Sequence, residues 1–538
     1  MGRKKRILMC AESHKVNSGF GLYTREILSR LYKTDKYELA ELSCYNGGDQ
    51  VKTVPWKVYP NAPSSSDKDE DKNAYNSNHT NAFGQWRFDK AVLDFRPDIV
   101  FDIRDYWMFA YQELSPLRPY FHWIVAPTVD SLPQKNSWLH TFRNADMVLG
   151  HTDWAVDYLK NINQNIVVGP SVSDSVDPDI FKPINHGLMY HKASHLVPDG
   201  SFIIGAVMRN QKRKLIPNLF NVIKRLIQFT RNSKIYLYLH TSYPEGSGWD
   251  IPELLQEYGV YNNVLFTYYC RACKKAYANT YKGTQAICPF CNNKTSGLPN
   301  VVDGLTAEQL AGIYNLFDFF VQYAICEGLG IPQLEAAACG VPICSVDYSA
   351  MSEVTTKLDG YKVEYALFKE LETGAFRALP NDSALVQIIH DYMSLNDEQK
   401  DKIKTRTRDN IIANYSWDKT AERYVEIFDQ FEPKNIWDKP MVCNQSLQVS
   451  SNLSNRDFVK TIIKEVIGDD HLWNTNFAQE IIRNLDYGFV VNNGTVLNYS
   501  KHDVIKLLEM YLNNKLTFEK VRSGEIVLND NFIKYANT

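Results

Sequence analysis

The amino-acid sequence predicts an α/β protein with two doubly wound parallel-sheet domains and a small metal-binding module inserted in the second. Short apolar strands alternate with amphipathic helices in two successive stretches, a glycine-containing loop follows the first strand, and four cysteines form two closely spaced pairs. Strand–helix alternation is typical of a parallel sheet covered by helices on both faces. Because such sheets bind ligands at the carboxyl ends of their strands, we expect a cleft between the domains.

Length, composition and charge agree with two globular cores. The chain has 538 residues, of which 44% are hydrophobic and 22% are charged. The net charge of −3 argues against a global attraction to nucleic acid or acidic membranes, so a polyanion would need a local patch. We find no transmembrane segment or signal-peptide core, and the scattered cysteines fit a reducing compartment, which predicts a cytoplasmic protein.

The first predicted domain covers residues 1–185. Its predicted strands lie at 5–11, 98–103, 122–126, 147–150 and 166–168. The first strand leads through a loop with two glycines into an amphipathic helix at 22–31. Residues 60–82 are polar and rich in Asn and Ser, which predicts a mobile excursion without a catalytic role.

The second predicted domain covers residues 200–414, after a polar linker. Its predicted strands are 202–208, 234–240, 263–267, 318–323 and 341–346, and its helices include 216–230, 306–316 and 332–339. Residues 435–538 are predicted to form a mostly helical appendage whose role the sequence does not indicate. Its predicted helices are 457–467, 477–485 and 501–512, with a small hairpin at 492–498.

Cys270, Cys273, Cys288 and Cys291 form two Cys-x2-Cys pairs separated by fourteen residues. This spacing is close to that of a zinc ribbon, here residues 268–297, and four thiolates leave no open coordination position. We therefore predict a structural zinc; surface thiols without metal are the alternative.

The ribbon interrupts the second domain just after a strand, which places it on the rim of the expected cleft. Its basic and aromatic residues are Lys274, Lys275, Tyr277, Tyr281 and Lys282. Such a mixture suits single-stranded nucleic acid, while lysines that are merely solvated are the alternative.

The segment from Phe317 to Pro342 combines a strand, a glycine turn and a helix. Gly328 and Gly330 permit a tight turn, and Pro332 suits the first turn of the helix. The free N–H groups of such a helix can cradle a diphosphate. An ordinary strand-to-helix turn with solvated glutamates is the alternative.

This segment resembles the donor-binding motif of retaining GT-B glycosyltransferases of the family 4 type. In that motif two glutamates, here Glu327 and Glu335, flank seven residues and precede a small-residue helix closed by Gly-x-Pro. The resemblance implies an upstream phosphate-binding pair, and Arg209 and Lys214 occupy its positions, although Met208 stands where the family usually has Gly. Cations there stabilise the leaving diphosphate. A basic helix start with a solvated face is the alternative.

The resemblance also implies roles for individual residues. Glu335 is implied to hold the ribose hydroxyls of a UDP- or GDP-sugar, and Glu327 to lie near the transferred sugar as a catalytic residue. The family retains the anomeric configuration, by front-face displacement, without a catalytic metal. The residues implied to bind the donor are Gly19, Gly21, Arg209, Lys214, Gly328, Leu329, Gly330 and Glu335.

One position departs from the family, in which many members place a histidine after a mid-domain strand of the first domain. Here the strand is followed by Asp130, which we predict to contact the sugar or acceptor as a second catalytic residue; a loop cap is the alternative. Asp102, Arg104 and Asp105 also end a strand at the cleft. They can grip acceptor hydroxyls, with a structural ion pair as the alternative.

The resemblance covers about residues 5 to 430 and implies that residues 415–434 form a helix crossing back to the first domain. The chain resembles a subgroup from bacteria and tailed phages that carries the ribbon and the sequence motifs CEGLGIPQLEAAACGVP and SVDYSAMSEV. That likeness implies a surface glycan or a modified (hydroxymethylated) DNA base as acceptor, and the host cytoplasm if the protein is phage-encoded.

Two other functions remain open at this point. One is an epimerase-like GT-B sugar-phosphate enzyme, and the other is a non-catalytic nucleotide- or sugar-binding protein. The presence of Arg209, Lys214, Glu327 and Glu335 together argues against the second.

Overall fold

Strands and helices alternate along the chain in the structure, a computed structural model. It describes residues 3–48, 54–115, 117–162, 165–184, 196–300, 303–437, 453–462, 476–492, 495–498, 500, 501 and 504. Among these residues, no helix is both long enough and apolar enough to cross a bilayer.

The first domain contains a seven-stranded parallel sheet in the order β3-β2-β1-β4-β5-β6-β7. The strands are β1 (Lys5–Glu12), β2 (Tyr37–Cys44), β3 (Lys57–Pro60), β4 (Ile99–Arg104), β5 (His122–Pro127), β6 (Met147–Gly150) and β7 (Val168–Ser171). The helices are α1 (Gly19–Lys33), α2 (Asp69–Asn76), α3 (Phe88–Phe95), α4 (Tyr106–Phe109), α5 (Asn136–Asn144) and α6 (Asp153–Asn161). The strand order reverses between β1 and β4, which makes their carboxyl ends a natural ligand position.

Two features of this domain differ from the sequence-based expectation. The buried strand β2 was not among the predicted strands. The segment 60–82 is partly folded and packed: it contains α2 and the start of a 3₁₀ helix at His79–Phe83, and Ala74 of α2 is buried. Asn61 and Asn81 are buried there and joined by a hydrogen bond from Asn61 Nδ2 to the Asn81 carbonyl (2.6 Å). Polar side chains that satisfy backbone groups let this Asn-rich segment pack.

The second domain contains an eight-stranded sheet with the path β11-β10-β9-β8-β13-β14-β15, and β12 pairs with β10. The strands are β8 (Phe202–Val207), β9 (Ile235–His240), β10 (Val264–Cys270), β11 (Ala276–Asn279), β12 (Ser296–Gly297), β13 (Phe319–Gln322), β14 (Ile343–Val346) and β15 (Tyr361–Val363). Strands β11 and β12 are antiparallel to β10 and extend the sheet into the predicted ribbon. The other neighbours are parallel.

Helices cover this second sheet as expected for a doubly wound domain. They are α7 (Ile216–Thr230), α8 (Ile251–Tyr258), α9 (Ala307–Tyr314), α10 (Ile331–Ala338), α11 (Ser349–Lys357), α12 (Asp382–Met393) and α13 (Asp397–Asn414). A separate antiparallel hairpin consists of β16 (Tyr365–Lys369) and β17 (Phe376–Pro380).

The next helix, α14 (Trp417–Asp429), packs against the first domain. Tyr424 on α14 contacts Tyr23 on α1 through their hydroxyl groups, 3.0 Å apart. The described C-terminal part consists of α15 (Asn455–Ile462), α16 (Asn476–Tyr487) and the hairpin β18 (Phe489–Asn492) and β19 (Thr495–Asn498). The predicted helix 501–512 lies almost wholly outside the described residues. Two parallel-sheet domains, a cysteine cluster and a helical C-terminal segment confirm the predicted fold class.

Candidate active site

The two sheets meet at a cleft lined by the carboxyl ends of their strands. A Cβ atom added to Gly328, after β13, would lie only 2.3 Å from Cγ2 of Thr128, after β5. A Cβ atom on Gly19 would lie 3.1 Å from Cδ1 of Ile331 at the start of α10. The loop 323–330 between β13 and α10, which is predicted to bind the donor and is called here the donor loop, therefore faces the first domain. The glycine loop, residues 14–21, faces the start of α10.

The segment 317–342 adopts the predicted strand, turn and helix. Gly330 precedes α10 with a φ of 93°, a conformation that L side chains rarely adopt, and Pro332 lies in the first helical turn. A short antiparallel bridge joins Lys214 to Ala324, so the loop after β8 runs beside the donor loop. The Arg213 carbonyl accepts a hydrogen bond from the Ile325 N–H at 3.0 Å.

This bridge brings the buried carboxylate of Glu327 to two cations. Lys214 Nζ donates to Glu327 Oε1, and Arg213 Nη1 donates to the same oxygen at 2.6 Å. Gln322 Nε2 lies 3.3 Å from it. Burial raises the pKa of Glu327, but the charges of Arg213 and Lys214 outweigh burial and lower that pKa below its ordinary value. The cluster therefore holds an ionised glutamate and a surplus positive charge beside the donor loop.

Arg213 is a site residue that the sequence reasoning missed. It stands between two lysines, in the run Lys212-Arg-Lys214 after β8. Its place in this basic run, next to a predicted phosphate-binding lysine, is the sequence feature that could have indicated it. Arg209, by contrast, contacts Glu245 through both Nε (3.1 Å) and Nη2, and its side chain is 56% exposed. The structure thus places Lys214 in the Glu327 cluster and leaves Arg209 at the exposed edge.

Glu335 lies on α10 and is buried. Its Oε2 atom accepts a hydrogen bond from the Tyr314 hydroxyl at 2.6 Å. Burial raises the pKa of the Glu335 carboxyl to about 7, and the hydrogen bond from Tyr314 opposes that rise only in part. Tyr314 ends α9, and nothing in its sequence neighbourhood pointed to this contact.

Asp130 takes part in an ion pair between the domains. Arg377 on β17 donates from Nη1 to Asp130 Oδ1 at 2.8 Å, and from Nη2 to Glu370 Oε2 at 2.9 Å. The Cys326 thiol lies 3.2 Å from Asp130 Oδ2. The predicted sugar- or acceptor-binding carboxylate is therefore adjacent to the donor loop, but its Oδ1 atom is engaged by Arg377.

The residues at the end of β4, Asp102 and Arg104, and the following Asp105 lie in two different environments. Asp102 and Arg104 are fully buried and pair with each other, so the structural alternative holds for them. Asp105 is half-buried, and burial raises the pKa of its carboxyl to about 6. Asp130 adds to this rise, while the Thr128 hydroxyl and the charges of Arg213 and His151 oppose it. Asp105 therefore belongs to the cleft.

The two glycines of the glycine loop, Gly19 and Gly21, are needed for different reasons. A Cβ atom on Gly21 would lie 2.3 Å from the Val16 carbonyl oxygen, so glycine is needed there for the packing of the loop itself. The start of α1 is capped by Ser18, whose hydroxyl accepts from the Gly21 N–H at 3.1 Å. Gly19 is the glycine that faces the cleft.

The four ribbon cysteines converge as the spacing predicted. All four Sγ atoms lie within 4.8 Å of one another. The Cys270–Cys291 and Cys273–Cys288 Sγ pairs are 3.7 and 3.6 Å apart. A tetrahedral zinc with Zn–S bonds of about 2.3 Å requires Sγ pairs about 3.8 Å apart, so the donor set fits zinc. Four thiolates fill the coordination sphere, which suits a structural metal.

No protein-family model and no curated protein sequence matches the chain. Its structure is similar to sucrose-phosphate synthase from Thermosynechococcus elongatus, with 14% identity, coverage of 80% of this chain and 99% of that one, and a TM-score of 0.56. HepE from Anabaena in complex with UDP-glucose matches with 11% identity, 79% and 99% coverage and a TM-score of 0.54. A glycosyltransferase from Rickettsia africae matches with 15% identity, 81% and 100% coverage and a TM-score of 0.52. The chain therefore has the GT-B fold.

Proposed function

We propose that this protein is a glycosyltransferase that moves a sugar from a UDP- or GDP-sugar to an acceptor with retention of configuration. The observation that carries the proposal is the buried Glu327 between Lys214 and Arg213, beside a glycine turn and a helix N-terminus in the cleft. The GT-B fold, and a neighbour of that fold in complex with UDP-glucose, support a nucleotide-sugar as the donor.

In the proposed reaction, the bond between the sugar C1 and the diphosphate oxygen breaks as the acceptor oxygen bonds to C1 from the same face. The acceptor hydroxyl passes its proton to the leaving phosphate oxygen. Lys214 and Arg213, with Arg209 at the exposed edge, stabilise the charge that develops on the diphosphate. These cations can supply the stabilisation without a catalytic metal.

Donor binding in this scheme follows from the arrangement of α10. The amides of Gly328, Leu329 and Gly330 and the first turn of the helix bind the diphosphate, and Gly19 closes over it from the first domain. Glu335, which is held in place by the hydrogen bond from Tyr314, accepts hydrogen bonds from the ribose hydroxyls. A zinc ion held by the four ribbon cysteines would stabilise the rim of the cleft.

The acceptor lies on the first-domain side, where Asp105 and Asp130 reach the cleft. We propose a surface glycan or a modified DNA base as the acceptor, with the protein acting in the cytoplasm, that of the host if it is phage-encoded. A hydroxyl group is the nucleophile in both cases. The half-buried Asp105 is better placed than the Arg377-bound Asp130 to accept a hydrogen bond from it.

A thermal-shift screen against UDP- and GDP-sugars tests donor binding, because a ligand that binds only the native state raises its melting temperature. We expect one donor to raise it in the wild type and in Lys212→Ala, an exposed neighbour, but not in Lys214→Ala. A shift that survives in Lys214→Ala would exclude this donor site. Binding without sugar transfer to any hydroxyl acceptor would favour a binding protein, and turnover of the sugar phosphate itself would favour an epimerase-like enzyme.

A further inference from the structure

The ribbon concentrates positive charge in a chain that is acidic overall. Residues 268–297 contain no Asp or Glu, whereas the chain carries a net charge of −3. The ribbon's basic residues are Arg271, Lys274, Lys275, Lys282 and Lys294, and all five are exposed. Even with the double negative charge of a zinc tetrathiolate centre, the ribbon stays positive. Such a local patch is what a polyanion would require.

Two adjacent cations, Lys274 and Lys275, follow the first cysteine pair, and Lys275 lies beside an exposed aromatic ring. Lys275 Nζ lies 5.0 Å from the ring centroid of Phe290, and Lys274 Nζ lies 5.9 Å from that of Tyr269. Phe290 is 44% exposed, and Lys294 follows the second cysteine pair. We call this set, Lys274, Lys275, Phe290 and Lys294, the knuckle end.

The cysteine site fixes the backbone that carries these side chains. The Lys274 N–H donates to the Cys270 carbonyl, and the Cys270 N–H donates to the Lys275 carbonyl, both at 2.9 Å. Lys274 has a φ of 59°, a conformation that the tight turn imposes. Since the turn is closed by metal ligands, the lysines and the ring are presented in a defined arrangement.

The ribbon is also anchored to the cleft rim. Gln309 on α9 donates from Nε2 to the Lys274 carbonyl at 3.1 Å, and Arg271 Nε donates to Asp303 Oδ2 at 2.7 Å. Beside Asp303, a Cβ atom on Gly304 would lie 3.6 Å from Nδ2 of Asn17 in the glycine loop. The knuckle end therefore belongs to the part of the molecule that borders the cleft.

We infer that the knuckle end binds single-stranded nucleic acid at the rim of the cleft. Lysines pair with the backbone phosphates, and the partly exposed Phe290 ring stacks on an unpaired base. Aromatic stacking favours a single strand, because the bases of a duplex are already stacked on one another. The role of this binding, which is to hold an acceptor strand near the donor, rests on the proposed function. The binding itself does not depend on sugar transfer.

Fluorescence anisotropy of the zinc-loaded full chain with a labelled single strand of about 12 nucleotides tests this binding. We expect Lys274→Ala/Lys275→Ala to weaken it at least tenfold and to reduce the salt slope, measured between about 50 and 200 mM, by about 1.4. Phe290→Ala should weaken it by about tenfold with little change in the slope. Lys224→Ala/Lys402→Ala, which removes two exposed lysines outside the ribbon, is the matched control and should leave binding unchanged.

Three results would overturn the inference: no binding at low salt, an equal loss in the control pair, or heparin fragments binding as tightly as the strand with no effect of Phe290→Ala. Zinc content and circular dichroism show whether each variant is folded. Donor binding is measured by thermal shift on the same preparations. If the wild-type protein binds a donor but no single strand, this inference alone is refuted; if it binds the strand but no donor, the proposed function alone is refuted.

Discussion

Glu335→Gln should stabilise the donor-free protein at pH 8, although it removes a residue proposed to bind the donor. Burial raises the pKa of the Glu335 carboxyl from 4.5 to about 7. Each pKa unit corresponds to about 1.4 kcal/mol, so ionising this group costs the folded state about 3 kcal/mol. A glutamine of the same shape keeps an oxygen that can accept the hydrogen bond from Tyr314 and cannot ionise.

The sign of the pH dependence follows from proton binding. Between pH 4.5 and 7 the folded state keeps a proton on Glu335 that the unfolded chain releases, so the stability of the wild type falls as pH rises. The penalty is absent below pH 4.5 and complete above pH 7. The gain from Glu335→Gln should therefore be small at pH 5 and reach about 3 kcal/mol at pH 8.

Urea unfolding of wild type and Glu335→Gln at both pH values measures this difference. Glu257→Gln, at an exposed position on α8, is the control and should change nothing at either pH. A difference that does not vary with pH, or a variant less stable than the wild type at pH 8, would refute the reasoning. The donor affinity of the wild type should change in the opposite direction to its stability. It should rise from pH 6 to pH 8, because the ionised carboxylate accepts hydrogen bonds from the ribose hydroxyls. In Glu335→Gln the affinity should be low and should not vary with pH.

Further predictions concern the cleft, the domain contact and the metal. Lys214→Ala should lower sugar transfer at least a hundredfold while Lys212→Ala leaves it unchanged, as steady-state kinetics would show. Asp105→Asn should remove a decline in kcat/KM that the wild type shows below about pH 6; a retained decline would exclude this carboxylate as its source. Arg377→Ala should cost about 3 kcal/mol in urea unfolding, because Asp130 in the first domain and Glu370 in the same hairpin as Arg377 both lose their partner. Elemental analysis should find one zinc per chain, and Cys288→Ser should lose it and lower the melting temperature.

The local parts of this molecule could be predicted because their signals lie within a few residues. The turn before α10 needs glycine for a positive φ and accepts proline in the first helical turn, and both residues are visible in sequence. The two Cys-x2-Cys pairs predict a shared metal site because ligand spacing within each pair is a local property. Local signals also mislead in places: the polar composition of segment 60–82 predicts a mobile excursion, but Asn61 and Asn81 satisfy buried backbone groups there.

Contacts between distant residues were not predictable in the same way. Arg213 reaches Glu327 only because the loops after β8 and β13 run side by side, and Tyr314 reaches Glu335 only because α9 packs on α10. The sequence places Asp102 and Arg104 at the end of a strand but does not say that both are sealed in the core.

The sequence by itself determined the two-domain α/β architecture, the donor-loop turn and the cysteine site, since each depends on periodicity, backbone freedom or ligand spacing over short stretches. Only the tertiary structure decided which charges meet. Glu327 is ionised between two cations, Glu335 is held by a tyrosine, and Asp130 is engaged across the domains by Arg377. These outcomes depend on burial and on the distances between side chains far apart in sequence, which exist only once both sheets are formed and face one another.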